Sequence, residues 1–111
     1  MKIIDAHHHL WDINLRDYPW LKEDDKNPLS KNYLIEDFNK DIGELEVIKS
    51  VHVQGEMNHK NSLDETRRLQ MISEAENSGK KPNAIIAYED LNSKELSQNI
   101  IKQKNYSNFR G

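Results

Sequence analysis

The chain has 111 residues, 35% of them hydrophobic and 32% charged, with 16 basic against 19 acidic side chains and a net charge of −3. So balanced a charge gives no electrostatic reason to seek nucleic acid or an anionic membrane, and the absence of cysteine excludes disulfides and thiolate metal sites. No apolar stretch is long enough for a signal peptide or a membrane span, which predicts a soluble, cytoplasmic protein.

The first element is a β-prone run, Ile3-Ile4-Asp5-Ala6, leading straight into His7-His8-His9. A polar loop follows with Tyr18-Pro19-Trp20-Leu21 and Asn27-Pro28, where the prolines disfavour helix. Leu34, Phe38, Ile42 and Leu45 then carry helical spacing over Tyr33–Leu45, with Gly43 near its end. Val47–Gln54 is predicted as a strand that alternates over Val51-His52-Val53-Gln54. Ser62-Leu63-Asp64-Glu65 reads as a capping box opening a helix to about Ser78, with Leu63, Thr66, Leu69, Ile72 and Ala75 along one side. Gly79 ends that helix and Pro82 keeps it from resuming. Asn83–Tyr88 is a nearly all-apolar third strand, as expected if both faces are buried. Ser93–Lys104 is a third helix anchored by Leu96, Ile100 and Ile101, and Phe109-Arg110 has the character of a fourth strand's start.

Strands alternating with helices imply right-handed crossovers and a parallel α/β sheet. The low apolar content, with a mean hydropathy of −0.95, and the open edge of such a sheet point to residues 1–111 as the N-terminal portion of a single larger domain. The alternatives are a self-contained three-layer α/β domain and a composition simply rich in Lys, Asn and Glu.

Residues two apart on a strand share a face, so a strand persisting through His9 directs Asp5, His7 and His9 one way and His8 the other. Imidazoles about 7 Å apart along a strand can converge on one cation beyond its C-terminal end, and neutral imidazole suits zinc and similar divalent ions. His-x-His supplies only two ligands, and a short histidine run can equally be a solvated loop or the remnant of a purification tag. On the second strand His52, Gln54 and Glu56 are expected on the side opposite the valines, with the valines toward the helices. Gln54 is then best placed to bond a substrate carbonyl or hydroxyl, Glu56 lies at the loop, and His52 reads as a core histidine. Trp11, Tyr18 and Trp20 either wall a substrate pocket or pack the loop. Asp12, Asp24 and Asp25 read as a solvated loop and His59 as surface. A phosphate-binding glycine loop, a Gly-x-Ser-x-Gly elbow and a helical His-Glu-x-x-His are all absent.

The stretch Ile3-Ile4-Asp5-Ala6-His7-His8-His9-Leu10-Trp11-Asp12 resembles the opening of the amidohydrolase-related family, where a strand ends in Asp-x-His-x-His-x-Trp. Tyr18-Pro19-Trp20-Leu21, Ser50-Val51-His52-Val53-Gln54-Gly55-Glu56, Glu65-Thr66-Arg67-Arg68-Leu69 and Phe109-Arg110-Gly111 are similar in the same order, most like the fuconolactonase branch. The resemblance implies the first three β/α units, plus the start of strand four, of a (β/α)₈ barrel of ~250 residues. It also implies metal ligation by His7 and His9, beside the substrate contacts expected of Trp11, Gln54 and Glu56 from their places on the strand and loop. The implied activity is hydrolysis of a sugar lactone or related cyclic ester by water activated by a divalent metal, zinc first among candidates, or by an aspartate. Some members of that branch work without metal. The family's further ligands and its aspartate base would lie beyond Gly111, so the 111 residues alone are expected to be inactive. A decarboxylase of the same superfamily and a non-catalytic remnant or small metal-binding domain are the alternatives. A small-molecule substrate is expected, with no nucleic-acid or membrane partner.

Overall fold

The computed structural model describes residues 1–21, 26–58 and 62–111. The expectations for Asp24, Asp25 and His59 lie outside these residues. Three strands, β1 (Ile3–His8), β2 (Val47–Val53) and β3 (Ala84–Ile86), alternate with three helices, α1 (Ile35–Ile42), α2 (Ser62–Glu74) and α3 (Leu96–Gln103). The strands form one sheet in the order β1-β2-β3, parallel throughout.

The sheet is open, which corrects the expected partial (β/α)₈ barrel. Three strands, with the usual twist between neighbours, cannot curve back on themselves as eight tilted strands do. The molecule is a small α/β domain. Phe109–Gly111 does run beside β3, with Ile85 N–H donating to Asn108 O and Arg110 N–H to Ile85 O at 2.8 and 2.9 Å. Its pairing amounts to a single parallel bridge, Ile85 with Phe109, and not to a fourth strand.

The sheet's register explains which residues are covered. His8 pairs with His52 and His52 with Ile85, so the three form one row across the sheet. All three are buried, on the side where Leu10, Ile35, Phe38 and Leu69 form the apolar core. His8 stacks on Phe38 of α1 with ring centroids 4.4 Å apart. Ser50 and His52 therefore lie beneath the helices, while Val51 and Val53 fall on the other, half-exposed side. This reverses the expected facing of β2. Alternation defines two faces but does not say which one the helices take. For the same reason β3 is not buried on both sides: Ile85 is covered, and Ala84 and Ile86 are half-exposed.

Helix α1 buries Ile35 and Phe38, with Ile42 packed beside them, one stripe at helical spacing. Asp37 accepts the N–H of Leu34 at 2.9 Å and closes its start. The helix stops three residues short of Leu45, which is exposed, because Gly43 adopts φ 52°, ψ −123°. That conformation suits only glycine. Gly43→Ala is expected to cost roughly 1–3 kcal/mol, read from urea unfolding midpoints.

Helix α2 departs furthest from expectation. Its buried residues are Glu65, Thr66, Leu69, Gln70 and Ser73 rather than an apolar stripe. Polar partners explain the rotation. Gln70 accepts Asn108 N–H at 2.9 Å and donates to Ser107, while Asn108 donates to Ser73 Oγ and Pro82 O. The capping-box roles are reassigned as well. Ser62 Oγ donates to Glu89, and the Glu65 carboxylate accepts from Gly55 and Tyr18. Helix α3 is shorter than expected and leaves Ile101 exposed; its fully buried residue is Gln103. Among the described residues no helix is long and apolar enough to cross a membrane.

Candidate active site

The C-terminal end of β1 carries the three histidines, and the structure separates them. His8 turns into the core. His7 and His9 turn the other way, and their rings meet edge to face with centroids 4.9 Å apart. The two Nε2 atoms are 3.1 Å apart. A β-bulge between Asp5 and His8 takes in His7: β1 uses three steps from Asp5 to His8 where β2 uses two from Ser50 to His52. Bulges re-aim side chains in this way. Asp5 stays with its own backbone, its Oδ1 accepting His7 N–H at 3.0 Å.

Hydrogen bonding fixes the proton positions. His9 Nδ1 lies 2.9 Å from Val53 O, and a carbonyl can only accept, so Nδ1 carries the proton. Neutral His9 therefore presents its Nε2 lone pair outward. In the pair as it stands His7 must be the donor, its Nε2–H directed at His9 Nε2. A cation would require His7 to move that proton to Nδ1. Two nitrogens bound at 2.0–2.1 Å to one ion lie about 2.8–3.4 Å apart for right-angled to tetrahedral geometry, so the observed spacing fits two ligands of one cation. The bond from His9 to Val53 is the kind of outer contact that orients a metal-bound imidazole. No further ligand joins them. Among the described residues, no group of three or more His, Cys, Asp or Glu side chains could hold a metal.

Beside His9 is a cavity of about 380 Å³ lined by His9, Trp11, Trp20, Leu29, Gln54, Gly55 and Glu56. All three residues expected to contact substrate, Trp11, Gln54 and Glu56, are among these. Larger hollows exist, about 530 Å³ between Ser62 and Lys102 and about 590 Å³ around Gln70 and Asn108. Neither is lined by a histidine, whereas the smaller cavity takes in His9, so chemistry, not size, selects it as the candidate. Trp11 and Trp20 meet edge to face at 5.6 Å and form its apolar wall. Trp11 Nε1 donates to Lys31 O and Trp20 Nε1 to Gly55 O. Gln54 does not stand free as a substrate contact. Its Oε1 accepts Glu56 N–H at 2.7 Å and its Nε2 donates to Glu56 Oε1 at 3.1 Å, holding Glu56 at φ 56°. A non-glycine residue in the left-handed region is strained, and such strain clusters at functional sites.

His52 is a core histidine with no exposed surface. Its Nε2 accepts Leu10 N–H at 2.9 Å, and burial holds its pKa well below 6.5. His8 is lowered to about 4 by burial, with Asp5 pulling it up as the next-largest influence and His9 and His7 adding smaller downward ones. Neither ring nitrogen of His8 has a hydrogen-bond partner among the described residues. Asp12 caps a short turn, accepting Asn14 N–H, and is not simply solvated. Beneath the cavity lies a network that sequence reasoning missed: Glu65, Tyr18 and Arg68, with Arg68 donating to Tyr18 Oη at 2.7 Å. Burial raises the Glu65 pKa above its ordinary value and that of Tyr18 likewise. A charged residue at a helix start reads from sequence as a cap, and nothing local marks it as buried.

An "Uncharacterized protein y4mH" of Sinorhizobium fredii (strain NBRC 101917 / NGR234) is 33% identical over 116 aligned positions. The alignment covers 98% of this chain and 38% of that protein, so the chain spans well under half the length of the relative it matches. No protein-family model matches the chain. No solved structure matches it either.

Proposed function

We propose that this chain carries part of the site of a hydrolase acting on a lactone or similar cyclic ester of the sugar-lactone type, with His7 and His9 as two ligands of a divalent cation. The observation that carries the reading is the convergence of the two Nε2 atoms at 3.1 Å beside a cavity walled by indoles. A bound cation would supply polarisation of a carbonyl or of water. The chain's own residues do the rest. Val53 O keeps the His9 lone pair turned outward. The faces of Trp11 and Trp20 suit the C–H surface of a ring, and the Glu56 carboxylate, positioned by Gln54, accepts from a ring hydroxyl. The chain spans 38% of the length of the relative it matches, so on this reading turnover is assigned to a longer protein and binding to this chain.

Both tryptophans of the chain line the cavity, which makes binding measurable. Five-membered sugar lactones, added with Zn²⁺, are expected to quench the fluorescence saturably. His9→Ala should weaken binding about tenfold or more, the scale on which lost metal-site contacts act. Acid release, as against carbon dioxide release, by a longer homologue then separates hydrolysis from decarboxylation. Absence of quenching by every lactone tried, with Zn²⁺ bound, would overturn the proposal.

A further inference from the structure

We infer that Glu65 is the positioning residue of the candidate pocket, a carboxylate that lines none of it but fixes the indole of Trp20 through Gly55. The inference rests on reading that cavity as the substrate site.

Glu65 is only 4% exposed. Burying a carboxylate is costly unless its oxygens are matched, and here each has a donor. Oε1 accepts Gly55 N–H at 3.2 Å, and Oε2 accepts Tyr18 Oη–H at 3.2 Å. Gly55 is the pivot. Its N–H is held by Glu65, and its carbonyl, 2.7 Å from Trp20 Nε1, holds the indole. A Cβ there would meet Tyr18 Cε1 at 3.3 Å and Glu65 Oε2 at 3.4 Å, so any side chain at this position would press on both members of the network. Tyr18 lies two residues before Trp20 in the same loop. Arg68 donates both to Tyr18 Oη and, at 3.2 Å, to Leu10 O, the residue after His9. One buried carboxylate thus joins three segments that border the cavity: the exit of β1, the loop bearing Trp20, and the exit of β2 with Gln54 and Glu56. An apolar residue could fill the same volume but could not hold the Gly55 peptide.

The test uses the two indole N–H groups, which resolve separately by nitrogen-15 NMR, with Trp11 as the internal control because its N–H bonds to Lys31 O. In Glu65→Gln the Trp20 indole N–H is expected to exchange with solvent about tenfold faster, the equivalent of about 1.4 kcal/mol, while Trp11 is unchanged. Both signals unchanged, or both rising together in a folded variant, would overturn the inference. Should Glu65→Gln fail to fold, Tyr18→Phe, which removes one of the carboxylate's two donors, is read by the same two signals and the same criterion. No ligand is needed for this measurement, so it stands apart from the proposed function. If no lactone binds the parent protein but Trp20 responds, the substrate reading fails and the positioning role remains.

Discussion

Between pH 6.5 and pH 4 the metal-free protein is expected to lose about 3 kcal/mol of stability through His8 alone. In the folded chain burial lowers this imidazole from 6.5 to about 4, whereas the unfolded chain titrates near the ordinary value. Above pH 6.5 neither state is protonated there, and the full stability is present. As pH falls, the unfolded state takes up the proton first and is favoured, until the folded His8 is also charged near pH 4. His52, also lowered by burial, adds to the loss in the same direction. Glu65, raised by burial, acts in the opposite sense, because the folded state takes up its proton first. Urea unfolding at pH 7.5 and 4.5, in the presence of a chelator, measures the balance. His8→Phe, which keeps a ring against Phe38, should flatten the pH dependence; an equally steep loss in that variant would remove His8 as the cause.

Leu69→Ala is expected to cost about 2–5 kcal/mol, a large share of the stability of a domain this size. Leu69 has no exposed surface and is the α2 residue in the apolar cluster with Leu10, Ile35, Phe38 and Ile85. Few apolar side chains share this core, so the surroundings have little with which to collapse into the space left behind. Leu91, 79% exposed, is the control, since its replacement by alanine should change the urea midpoint little. Equal effects at the two positions would contradict the assignment of the core.

What the sequence made legible follows from periodicity. The β-α alternation, the places of β1, β2 and α1, and the shared side of His7 and His9 rest on spacings of two and three to four residues, which the backbone imposes locally. What it left hidden depends on partners distant in sequence. Ser50 and His52 are buried because the row His8–His52–Ile85 sits beneath the helices, and no local pattern orients that row. The polar face of α2 is buried because Ser107 and Asn108 return to meet it. The partial (β/α)₈ barrel, expected from resemblance, is instead an open three-stranded sheet. Gln54 and Glu56 were expected as parallel contacts to substrate. The hydrogen bonds between them make Gln54 a support for Glu56, a relation that two-residue spacing permits but does not dictate. Trp20 and Leu29 reach the cavity across a loop whose path no periodicity encodes.

On the proposed function, the 3.1 Å pair of His7 and His9 is a cation site. X-ray absorption at the zinc edge, on protein loaded with one equivalent of Zn²⁺, tests it most directly. The expected result is two imidazole nitrogens at about 2.0 Å, with the imidazole signal lost in both His7→Ala and His9→Ala. Zinc bound with the same spectrum in either variant, or with no imidazole in its shell, would contradict it.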